Sequence, residues 1–163
     1  EPSATILSLT QETTAEAVVG LAEGETLSVE SLTVETNAAP LTIGAVSGRG
    51  TLTAGGTSLR VDTQGEDSLL TVRSGFGLPA AGTVEKRGAG TVLFDDNFAW
   101  SGTLQLLDGI FAVSNAAAPL AATLTGTGTF LKADDANWTL SKAQTSRQSW
   151  MHSRQSSSDN SDL

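Results

Sequence analysis

Short stretches in which apolar and polar residues alternate recur between residues 24 and 141, each bounded by Gly, Asn, Asp or Pro. Thr26-Leu27-Ser28-Val29 leads into Leu32-Thr33-Val34. The same alternation returns in Leu59-Arg60-Val61, Leu69-Leu70-Thr71-Val72, Thr91-Val92-Leu93-Phe94, Thr103-Leu104-Gln105-Leu106 and Ile110-Phe111-Ala112-Val113. A period of two puts every second side chain on one face, which is the pattern of a half-buried β-strand. Only Thr13 to Ala22 could make a short helix, and Gly20 weakens that expectation.

The strands belong to an internal repeat. Gly48-Arg49-Gly50-Thr51-Leu52 returns as Gly88-Ala89-Gly90-Thr91-Val92 and again as Gly126-Thr127-Gly128-Thr129-Phe130, at spacings of 88 − 48 = 40 and 126 − 88 = 38 residues. Ala39-Pro40-Leu41 and Ala118-Pro119-Leu120 precede two of the copies. Asp95-Asp96 with Trp100-Ser101, and Asp134-Asp135 with Trp138-Thr139, follow two of them. A propeller would need more than three blades to close and would carry blade signatures that are missing here. The favoured reading is an all-β, parallel β-solenoid with two turns of roughly 20 residues per repeat. Inward Leu, Val, Ile and Phe would stack from rung to rung at about 4.8 Å, with outward Thr in ladders and Gly at the corners. A β-sandwich remains the alternative, because periodicity alone does not distinguish parallel from antiparallel pairing.

Composition supports strands over helices. Gly reaches 17 residues while charged residues make up 17% and aromatics 5%, too few Glu, Lys and Arg for long surface helices. A net charge of −9 argues against a nucleic-acid partner, which requires clustered Lys and Arg, and against insertion into an anionic membrane surface. With no Cys there is no disulfide framework, thiolate metal site or thiol nucleophile. Three segments follow: 1–23 as a lead-in or cap, 24–141 as the solenoid, and 142–163 as a disordered polar tail rich in Ser and Gln.

Lys86-Arg87-Gly88-Ala89-Gly90-Thr91-Val92-Leu93-Phe94, continuing through Trp100-Ser101-Gly102-Thr103-Leu104 to Asp108-Gly109-Ile110, resembles the autotransporter passenger-associated β-strand repeat. Trp100 stands where that family usually has Tyr. The best copy spans roughly residues 86 to 115, a weaker one 124 to 141, with Leu140 in place of the expected Gly, and a decayed one begins at Gly48. The resemblance implies a right-handed parallel β-helix in the exported passenger of a type V secretion protein. It also implies a secreted or cell-surface location, with outer-membrane anchoring through a region of the protein not contained in this sequence. The family repeat carries no catalytic residues.

Candidate chemistry is sparse. Asp95, Asp96, Asp134 and Asp135 read as solvated turn residues; the alternative is a cross-rung Ca²⁺ site completed by Asn97 or Asn137. Trp100 and Trp138 occupy matching repeat positions and would stack on each other; exposed and coplanar, they would instead bind sugar rings. These six residues form the candidate ligand surface. Glycoside hydrolysis needs two carboxylates across a cleft, and here Arg60 and Arg73 stand isolated and Tyr is absent. His152, the only His, sits in the tail, where neither a catalytic triad nor a metal site is supported. No enzyme activity, cofactor or metal is expected. The function read from the sequence is a structural stalk or adhesin segment whose partners would be host or matrix glycans or proteins, with end-to-end self-association through its open rungs. The alternatives are a carbohydrate-binding module using Trp100 and Trp138, and a β-helical polysaccharide-processing enzyme.

Overall fold

The structure is a computed structural model that describes residues 3–44, 50–73, 75–77, 82–94, 102–114, 122–132 and 150–152. In chain order, its strands are β1 (Ser3–Gln11), β2 (Ala17–Val19), β3 (Thr26–Val34), β4 (Leu41–Ile43) and β5 (Thr51–Ala54). They continue with β6 (Ser58–Thr63), β7 (Leu69–Val72), β8 (Gly75–Gly77), β9 (Thr83–Arg87) and β10 (Thr91–Phe94). The last are β11 (Thr103–Leu106), β12 (Ile110–Val113), β13 (Thr123–Gly126), β14 (Thr129–Lys132) and β15 (Trp150–His152).

Two sheets result. One orders its strands β13-β11-β9-β6-β3-β5-β8, with β1 also on β3; the other runs β15-β14-β12-β10-β7-β4-β2. Every pairing is parallel, so each strand meets its neighbour only after the chain has passed through the opposite sheet. This is a parallel β-solenoid, and the parallel register overturns the sandwich alternative.

The inward positions form continuous ladders. Leu59, Val84, Leu104 and Leu124 are in register and fully buried. Across the core, Leu41, Leu70, Val92, Phe111 and Phe130 make the facing ladder, and Ile43, Val72, Phe94 and Val113 make a second one beside it. Phe111 stacks against Phe94 at 5.2 Å and against Phe130 at 6.1 Å between ring centroids. Each such side chain contributes about 1.5–3 kcal/mol on burial. On the outside, Ser58, Thr83, Thr103 and Thr123 stand in one ladder, as the alternation predicts.

Rungs average about 23 residues, but they are not uniform. Along the ladder Ala17, Leu41, Leu70, Val92, Phe111 and Phe130 the steps are 24, 29, 22, 19 and 19 residues. The expected 20-residue turn therefore describes only the C-terminal rungs. Both corners of the rung shorten: Ile43 to Ser58 spans 15 steps, whereas their partners Val72 and Thr83 are 11 apart, and Asp62 to Leu69 spans seven, whereas their partners Arg87 and Thr91 are four apart. The tighter corner brings successive rungs into backbone contact. Gly88 has φ +75° and Gly126 φ +101°, and a Cβ at either would overlap the Thr63 or Leu106 carbonyl oxygen of the rung below.

The repeat copies divide on this point. Thr91 and Thr129 occupy the same ladder two rungs apart, through Ile110, which accounts for the 38-residue spacing. Thr51, in the first copy, opens β5 in the opposite sheet. The Gly-x-Gly-Thr pattern thus encodes a strand-entry corner, and more than one corner of the solenoid uses it.

Within residues 1–23, expected to be a lead-in or cap, Ser3–Gln11 and Ala17–Val19 form β1 and β2, which pair with β3 and β4, and β2 stands where a short helix over Thr13 to Ala22 was possible. Parallel pairing outweighs a weak helix preference there, helped by the β-branched Val18 and Val19. In the tail, Trp150–His152 adds a strand to β14, with Trp150 in register with Phe130. The sequence hid it because three residues are too few to show alternation.

Candidate functional site

Trp100, Trp138, Asp95, Asp96, Asp134 and Asp135 lie outside the described residues, so the expected ligand surface has no structural account. Among the described residues, no three His, Asp or Glu side chains converge as a metal site would require. What the structure does bring together is a cleft on the outer face of the first sheet and a buried lysine at the corner.

The cleft originates in a break of alternation inside β3. Val29 and Leu32 both point inward, which leaves two successive residues, Glu30 and Ser31, on the outer side. In the next rung the chain needs more residues to cross the same stretch. Val29 pairs Ala54 and Ser31 pairs Arg60, so two steps in β3 correspond to six between β5 and β6, with Gly55-Gly56-Thr57 looping out. The extra residues separate β5 from β6 along β3, and beside them lies an open cleft of about 400 Å³ lined by Ser8, Glu30, Ser31, Ser58, Leu59, Arg60, Thr83 and Glu85. Gly55 clears space beside Glu30, since a Cβ there would stand 3.1 Å from the Glu30 Cγ.

Arg60, isolated in the sequence, is paired in space. It lies directly across from Glu85, and its Nε stands 3.3 Å from the Glu85 Oε1, which also accepts from the Arg87 Nε. The Arg60 side chain is 59% exposed, so this pair contributes at most about 1 kcal/mol to stability. Glu30 is exposed at the cleft.

Lys86 occupies an inward ladder between Val61 and Leu106 and is fully buried. Its ammonium donates to the carbonyl oxygens of Arg87 at 2.7 Å, Gly88 at 2.6 Å and Asp108 at 3.2 Å. These carbonyls belong to the tightened corner and to the corner of the next rung. Burial pulls the Lys86 pKa down to about 8, opposed by the Asp108 and Asp62 carboxylates. Other corners use neutral groups for the same purpose. Gln11 donates to the Ala15 carbonyl at 2.7 Å, and Ser68 accepts from the Gly65 N–H and donates to the Glu35 carbonyl, both at 3.0 Å.

Lys86 begins the repeat motif, but nothing in the motif itself assigns it a role. The signal was its spacing of two from Val84, which places a charge on the inward face. Glu30, Arg60 and Glu85 carried no local signal, because 25 residues separate the cross-rung partners Arg60 and Glu85. Comparison with protein-family models, curated proteins and solved structures finds no match, so the fold itself is what stands.

Proposed function

We propose that the chain is a stalk segment of an exported, autotransporter-like bacterial protein, displayed outside the cell and serving as a stiff spacer or adhesin shaft without catalytic activity. The observation that carries this reading is the set of inward ladders running from rung to rung, apolar among the described residues except at Gln11, Thr63 and Lys86, in which each rung buries its apolar face on the next. Such a body is quasi-one-dimensional: length and stiffness grow with each rung, and nearest-neighbour packing supplies the stability. The repeat motif around Lys86 to Ile110 supports the placement in a passenger and the right-handed winding that goes with it.

The test is display. The chain is placed between an epitope and an outer-membrane translocator in a Gram-negative host, beside a variant carrying Leu104→Asp and Phe111→Asp, which breaks two facing ladders. Expected is antibody access to the epitope with a protease-resistant chain, and loss of resistance in the variant. Equal display and equal resistance for both would sink the stalk reading, as would turnover of any polysaccharide in a hydrolysis screen.

A further inference from the structure

We propose that the cleft over Glu30 is a shallow binding site for a short neutral saccharide of about one or two rings. The proposal is independent of the stalk reading, since it rests on the chemistry of this one outer face.

The shape comes first. A volume of about 400 Å³ falls at the low end of ordinary ligand sites, roughly 300–1,000 Å³, and suits a small polyol better than a long chain. The four extra residues between β5 and β6 lie beside the cleft, and β3 and β6 have sheet neighbours on both sides. Neither strand offers a free backbone edge there, so an extended peptide has no ladder to join.

The lining then selects the ligand. Ser31, Ser58 and Thr83 present hydroxyls that both donate and accept, which suits a partner whose groups do the same. Glu30 supplies a carboxylate that accepts from two adjacent hydroxyls. Arg60 contacts Glu85 through Nε, one of five guanidinium N–H donors, and its exposed fork matches a pair of sugar oxygens. An apolar ligand would strand these groups without partners. An anion would face Glu30 and Glu85 on a chain of net charge −9. A neutral polyhydroxyl compound meets every requirement. With no aromatic side chain among the described residues that line the cleft, affinity should be roughly millimolar.

The experiment is saturation-transfer NMR on the full chain with glucose, galactose, N-acetylglucosamine and maltose as neutral probes and N-acetylneuraminic acid as the anionic one. Expected is transfer to ring protons of at least one neutral sugar, and none to the anionic sugar. Glu30→Ala and Arg60→Met, both at exposed side chains, should each weaken binding about tenfold with unchanged circular dichroism. Trp100→Ala and Trp138→Ala should leave it unaltered. Absence of transfer from every neutral probe at tens of millimolar would overturn the proposal. So would a signal that survives Arg60→Met and Glu30→Ala, or one that disappears with either tryptophan.

Discussion

Lys86 is a charge on a ladder otherwise built of Leu9, Leu32, Val61, Leu106 and Gly126. Its ammonium is tolerated there because the tightened corner turns three carbonyls toward it. Desolvation still dominates, and the folded pKa near 8 lies below the usual lysine value of 10.5. The sign follows from proton counting. Below pH 8 both states hold the proton, and the folded state bears the cost of burying it. Between pH 8 and 10.5 the folded chain releases its proton first, so this group makes stability rise with pH, by up to about 3 kcal/mol, and the gain levels off above that window. Urea unfolding at a series of pH values should show this rise in the native chain. Lys86→Met should abolish it, while costing about 1–3 kcal/mol at pH 7 because the Arg87, Gly88 and Asp108 carbonyls lose their donor. An identical pH profile for the two would refute the assignment. The residue was visible in the sequence as a motif position, and its spacing of two from Val84 pointed inward; the carbonyls that receive its ammonium were not visible there.

At the scale of single elements, the solenoid is regulated by its corners. Strands repeat, but after the 29-residue rung the rung length falls to 22 and then 19 residues, and glycine becomes obligatory where the backbones close up. Gly126→Ala combines a positive φ with a Cβ aimed at the Leu106 carbonyl oxygen, so a loss well above about 1 kcal/mol is expected. Gly56→Ala, in the loop beside the cleft with open space around it, should stay within about 0.5 kcal/mol of the native chain. Thermal unfolding of the pair gives the comparison, and equal midpoints would contradict the corner argument. Gly88, Gly90, Gly126 and Gly128 could be found from the repeated Gly-x-Gly-Thr. The Gly55-Gly56-Thr57 loop could not be assigned an opening role, since its effect depends on what Glu30 and Ser31 do in the preceding rung.

At the scale of the whole molecule, the ends differ from the middle. Ile6, Leu9, Ala17 and Val19 point along the same ladders as the fully buried core, yet they are only partly buried. Among the described residues no strand covers β1 or β2 on their outer edge. Open edges of this kind template further pairing. The chain should therefore self-associate with rising concentration in sedimentation velocity runs, and Ile6→Lys, which puts a charge on the end face, should shift the distribution toward monomer. Monomers at all concentrations for the native chain would show that the end rung is satisfied in some other way.

Alternation and the glycine repeat were sufficient to determine that this chain forms short strands and that most of their alternating Leu, Val, Ile and Phe face inward, with Val18 and Leu107 exposed instead. Those features are local: a period of two and a glycine requirement are each written within a few consecutive residues. Parallel pairing, the stepwise shortening of the rungs, the strand at Trp150–His152 and the reading of Arg60 as a paired group were decided only by the tertiary structure. Each depends on which residue of the next rung lies opposite, and that register accumulates every insertion between the two. Four residues added after Ala54 look ordinary in the linear sequence, but in the solenoid they push β5 and β6 apart along β3, beside the outward Glu30.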